Sequence, residues 1–150
     1  MLIPEIKILR FCAVTDQRME VPADALRFWQ QCVEAADWFE PDRECVVAAA
    51  LNPRLRVTGW RMIAVGTLND CSLHPREILR FALIANAASF VLMHNHPTGD
   101  PAPSVADINF TIGLREAARV VQIPLQDHVI VGDERPEHPH YCSLREQGYC

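Results

Sequence analysis

Residues 90–107 read Phe-Val-Leu-Met-His-Asn-His-Pro-Thr-Gly-Asp-Pro-Ala-Pro-Ser-Val-Ala-Asp. The apolar quartet Phe90 to Met93 has the length and composition of a short buried strand. His94 and His96 follow at i and i+2, so both imidazoles leave the strand end on one face. Prolines and Gly99 then make a loop, and Ser104 opens a helical pattern with Asp107 in its first turn. A strand end and a helix start thereby bring together two neutral nitrogens and one carboxylate oxygen. That is the donor set of a catalytic zinc, which takes three protein ligands and keeps its fourth position open for water. Each piece also has a plainer use. A lone histidine is usually satisfied by one hydrogen bond, and Ser104-x-x-Asp107 has the form of a capping box. The conjunction favours the metal: His-x-His, ten residues, then Asp, with Ser three positions before it.

That conjunction resembles the JAMM motif of the MPN-domain metalloproteases. The longer string from His94 to Thr111 resembles the RadC branch of that superfamily. Similarity continues through Gly66-Thr67-Leu68-Asn69, His74-Pro75-Arg76-Glu77, Asp127-His128-Val129-Ile130-Val131-Gly132 and Ser143-Leu144-Arg145-Glu146, so it covers about Glu44 to Gly148. Thr98 stands where serine is commoner. The letters His-Asn-His also spell the name of a nuclease motif, but that motif spreads its residues over a hairpin and a helix, and here they are consecutive.

The resemblance implies an MPN-type α/β fold, a mixed, curved sheet covered by helices. It implies Zn2+ held by His94, His96 and Asp107. It also implies a catalytic glutamate upstream of the ligands, a place that Glu44 fills at the head of an apolar strand, with Glu40 and Glu77 as rivals. Glu77 has a second explanation, as an acid at the positive end of a helix dipole. Ser104 would hydrogen-bond the water and the oxyanion, as in an oxyanion hole, and can be a helix cap as well. His128 receives no ligand role and reads as structural or as a support behind the ligands. The activity implied is that of a zinc-dependent metallohydrolase, a peptidase or isopeptidase acting on a peptide or protein, ubiquitin-like proteins included. The alternative is a non-catalytic RadC-type module of DNA repair or mobile-element biology, acting through partner contacts. RadC-family proteins typically carry a helix-hairpin-helix region ahead of this domain. Some 40 residues here leave no room for one, so strong nucleic-acid binding is not expected.

Composition agrees. One hundred and fifty residues suit one domain with a substantial core, and 49% hydrophobic with 22% charged residues is ordinary for a globular chain. A net charge of −5 argues against a broad nucleic-acid-binding face. Lys7 is the single lysine among 14 basic residues, so the positive charge is nearly all guanidinium. The start has neither the basic region nor the long apolar region of a signal peptide, and no apolar run is long enough to span a membrane. The expected location is therefore cytoplasmic, with Cys12, Cys32, Cys45, Cys71, Cys142 and Cys150 as free thiols and Cys71 in the segment nearest the site. A homo-oligomer is compatible with all of this.

Along the chain, residues 1–40 read as a strand (5–15) and an amphipathic helix from Val21 to about Phe39, packed on a domain of residues 41–150. The helix presents Ala25, Phe28, Trp29, Cys32, Val33 and Ala36 on one side. Strands are expected at 44–51, 57–65, 89–94 and 124–131, and a brief pairing from Tyr141. Helices are expected from Pro75 to about Ala87, with Ile78, Leu79, Ala82, Leu83 and Asn86 on one side, and from Ser104 to about Val121. Gly66 to His74 and Gly132 to His140 are loops, and His138 and His140 read as solvated, with a weak adventitious metal site as their minor alternative.

Overall fold

Why Cys45 to Leu51 is apolar at every position becomes clear from its place in the sheet. A computed structural model describes residues 17–66 and 73–150. The strand expected at 5–15, Cys12, Cys71 and most of the loop after Gly66 lie outside the described residues. Five strands are described: β1 (Cys45–Leu51), β2 (Val57–Val65), β3 (Ser89–Asn95), β4 (Leu125–Val131) and β5 (Tyr141–Ser143). They form one sheet in the order β2-β1-β3-β4-β5. β1 runs antiparallel to β2 and β3, β3 and β4 are parallel, and β5 returns antiparallel to β4. The sheet is therefore mixed, with helices on both faces, and every residue of β1 and β3 is buried.

Among the described residues three α-helices cover the sheet: α1 (Pro22–Phe28), α2 (Pro75–Ile84) and α3 (Val105–Val120). Strand alternation divides the core in two. Val47, Ala49, Leu51, Val91 and Met93 face α1 and pack with Phe28, Trp29 and Val33. Val46, Ala48, Ala50, Phe90 and Leu92 face α2 and α3 and pack with Ile78, Phe81 and Leu114. His94 continues the second set, so the strand delivers it toward α3, while Asn95 points to the α1 side. The i, i+2 spacing puts both histidines on one face. The register now says which face.

Two helices are shorter than their periodicity suggests. The first does not continue as an α-helix to Phe39. It passes into a π-helical turn at Trp29–Val33, closed by Glu34 N–H donating to Trp29 C=O at 3.0 Å. The wider turn buries Trp29 and Val33 together, and the chain then bends back so that Phe39 meets Trp29 edge to face at 5.8 Å. The helix from Pro75 stops at Ile84 because Asn86 adopts a left-handed φ of 50° and Ala87 N–H donates to Ala82 C=O. Leu83 is 54% exposed, and Phe81 packs in the core in its place. Among the described residues no helix is long and apolar enough to cross a membrane.

Candidate metal centre

His94 is fully buried at the end of β3, Asp107 is 1% exposed in the first turn of α3, and His96 lies just beyond the strand. One side-chain donor atom from each lies within 4.8 Å of the others, a grouping able to hold a metal ion. The two Nε2 atoms are 3.1 Å apart. Asp107 Oδ1 is 3.4 Å from His94 Nε2, and Oδ2 is 3.4 Å from His96 Nε2.

The proton inventory tests whether these residues suit a cation. His96 Nδ1 lies 2.8 Å from the Asp100 carbonyl oxygen, which can only accept. In neutral His96 the proton is therefore on Nδ1, and a lone pair on Nε2 faces the group. Asp107 Oδ1 is buried and makes no hydrogen bond. Acceptors thus converge where a shared positive charge would satisfy them. The electrostatics point the same way. Burial alone would raise the Asp107 carboxyl, but the neighbouring imidazoles and Ser104 hold it well below the usual carboxylate range. Burial would lower His96, yet Asp107 and the Asp100 carbonyl raise it above its ordinary value of 6.5. The residues fit a metal ion.

Ser104 caps α3 through a reciprocal pair. Its Oγ and backbone N–H donate to Asp107 Oδ2 at 2.7 and 2.8 Å, and Asp107 N–H donates back to Ser104 Oγ at 3.1 Å. The same bonds that start the helix orient the carboxylate, so capping and ligand placement are one arrangement.

Glu44 sits one residue before β1, and the β1–β3 register that pairs Val46 with His94 extends it toward His96. It is 9% exposed, with Oε1 3.9 Å from His94 Nε2. The rivals lie elsewhere. Glu40 is exposed beside Arg43 at 3.9 Å, and Glu77 pairs with Arg76 and Arg80 on α2.

Asn95 carries a role that the sequence reading did not assign. Its Oδ1 accepts from Cys45 N–H at 2.8 Å, and its Nδ2 donates to the carbonyls of Arg43 at 3.0 Å and Pro41 at 3.4 Å. It therefore ties down the backbone on both sides of Glu44. The signal was the strand period: between two histidines on one face, the middle residue must point to the other. His128, fully buried on β4, places Nε2 2.8 Å from His94 Nδ1, and its Nδ1 lies 2.6 Å from the Thr111 hydroxyl of α3.

A cleft of about 520 Å³ opens beside His96, lined also by Trp29, Phe39, Val131 and Gly132. Glu34, Asp42 and Asp133 line it, and no lysine or arginine does among the described residues.

The model of the RadC-like JAB domain matches residues 19–149. The chain belongs to the RadC-like JAB domain family. Relatives bear the name UPF0758 protein. The one from Desulforudis audaxviator is 45% identical over 107 residues, covering 71% of this chain and 44% of its own. That of Bacillus licheniformis is 43% identical over 107 residues, covering 71% and 46%. That of Listeria innocua is 39% identical over 143 residues, covering 93% and 59%. The chain spans about half the length of the curated relatives it matches. Their shared name states no activity.

Proposed function

We propose that this RadC-like JAB domain is a zinc-dependent hydrolase of amide bonds, a peptidase or isopeptidase of the JAMM type. The observation that carries the reading is the convergence of His94 Nε2, His96 Nε2 and Asp107 with the Glu44 carboxylate 3.9 Å from His94. Zinc, when bound, lowers the pKa of water from ~15.7 to ~7 and polarises a carbonyl. His94, His96 and Asp107 would hold it, three ligands with one position left over. Glu44 takes the proton of the attacking water and passes it to the departing amine, the two-way transfer that amide hydrolysis requires. Ser104 fixes Asp107 Oδ2 and, by turning its hydroxyl, can donate to an oxyanion.

The cleft supports a polypeptide substrate. The half-buried Phe39 and the exposed carboxylates of Glu34 and Asp42 suit a peptide segment, and those carboxylates would repel a phosphate backbone, whereas Asp133 is paired with Arg135 at 2.6 Å. With a net charge of −5, duplex DNA binding should be weak and steeply salt-dependent. The test pairs zinc analysis with a hydrolysis screen on peptide-linked, isopeptide-linked and nucleic-acid substrates. Amide cleavage lost in Glu44→Gln supports the reading. A zinc-loaded, folded wild type that cleaves no amide, even with candidate partners present, supports the partner-binding module instead.

A further inference from the structure

We propose that Thr111 and His128 are positioning residues that fix the tautomer of His94, so that its Nε2 lone pair faces the metal. The inference rests on reading His94, His96 and Asp107 as a metal centre. It follows from counting protons along one chain of contacts. Thr111 Oγ1 lies 2.6 Å from the backbone carbonyl of Asp107, which brings no proton, so the hydroxyl proton is donated there. The hydroxyl oxygen is then left to accept, and His128 Nδ1, 2.6 Å away, must donate to it. With one proton placed on Nδ1, neutral His128 presents a lone pair at Nε2. His94 Nδ1, 2.8 Å from that atom, must be the donor. The proton of neutral His94 is thereby held on Nδ1, and Nε2 faces His96 and Asp107 without one.

The opposite direction fails at its first link. Were Thr111 to donate to His128, its oxygen and the Asp107 carbonyl would stand 2.6 Å apart with no proton between them. Were His128 to donate from both nitrogens, His94 Nδ1 would have to accept. The proton of His94 would then sit on Nε2, in the position a metal needs. Histidine in water favours the proton on Nε2, so the fold must impose the tautomer that ligation requires. The relay starts on the backbone of one ligand, Asp107, and ends on the ring of another, His94. It ties α3, β4 and β3 into one unit.

The experiment uses the full chain, with Thr111→Val and Thr111→Ser compared. Valine keeps the volume and removes the hydroxyl, whereas serine restores it. Zinc affinity is measured by chelator competition, and ring tautomers by long-range 15N–1H correlation of the zinc-loaded protein, with circular dichroism to check the fold. Supporting contacts of this kind typically contribute 10–100-fold in metal affinity, so Thr111→Val should weaken zinc by about that factor and Thr111→Ser by less than about threefold. In wild type, His128 should be neutral with its proton on Nδ1. Should wild type take no zinc at all, the metal reading fails. The relay is then judged separately on metal-free protein at alkaline pH, where His94 and His128 should both carry the proton on Nδ1. A His128 protonated on Nε2, or folded Thr111→Val with wild-type zinc affinity, overturns the proposal.

Discussion

Replacing Asn95 by alanine isolates the attachment of the Glu44 segment to β3. The side chain is 6% exposed and makes three hydrogen bonds to the backbone of residues 41–45, none of them to a candidate metal ligand. Alanine leaves the Cys45 N–H unpaired in a residue with no exposed surface, at a cost of roughly 1–3 kcal/mol. The Arg43 and Pro41 carbonyls lie nearer solvent and lose less, so the total is roughly 2–4 kcal/mol. For a domain of this length that corresponds to a fall in Tm of roughly 4–16 °C. Aspartate should not rescue it. One oxygen can still accept from Cys45 N–H, but the other would face the Arg43 and Pro41 carbonyl oxygens in place of a donor. Thermal unfolding by circular dichroism, in chelator so that metal does not contribute, measures the loss. Zinc content of separate preparations should stay at the wild-type level. An alanine variant within about 2 °C of wild type, or an aspartate variant as stable as wild type, would refute the reasoning.

Four further outcomes follow from the same geometry. Glu44→Gln should keep zinc while turnover on an amide substrate falls by ~10²–10⁴. Ser104→Ala should instead cost about 1 kcal/mol of helix capping, seen in Tm, and lower zinc retention, because Asp107 Oδ2 keeps only the backbone N–H of residue 104 and loses the hydroxyl. Gly132→Ala would drive a Cβ against the Gly99 carbonyl oxygen and to 2.6 Å from Pro101 Cδ, displacing the loop after His96. A loss of ~1–3 kcal/mol with weakened zinc binding is expected, read by denaturant unfolding and chelator competition. In metal-free protein two histidines act with opposite sign. His96, raised by Asp107, contributes stability that is full below 6.5 and is lost as pH rises through its higher folded value. His128, lowered by burial, contributes stability that is full above 6.5 and is lost as pH falls toward its lower folded value. Their combined contribution should peak near pH 6.5, and the stabilisation gained on adding zinc should grow above it; Tm against pH with and without zinc checks both.

What the sequence could carry depended on the range of the signal. The meeting of His94, His96, Ser104 and Asp107 was legible because strand period, loop punctuation and helix cap are all local, and the cap is the same arrangement that orients the Asp107 carboxylate. Glu44 could be ranked over Glu40 and Glu77 by resemblance alone. The antiparallel register of β1 on β3 gives the physical reason for its place, and a register is a long-range fact. Asn95 was half legible, since alternation turns it away from the histidines but cannot say that it meets Cys45 and Arg43. The relay through Thr111 and His128 needs α3 packed on β4, so neither residue could be linked to His94 beforehand. The helix errors have local causes, a π turn that brings both Trp29 and Val33 into the core and a left-handed Asn86. An apolar stripe carries information about burial and very little about where the backbone changes pitch.

Zinc content per chain tests the central claim most directly. Elemental analysis of purified wild type should find about one zinc, and His94→Ala, His96→Ala and Asp107→Ala should each lower it markedly while circular dichroism stays native-like. Wild type that takes up no zinc, or full zinc retained in all three variants, would contradict the account.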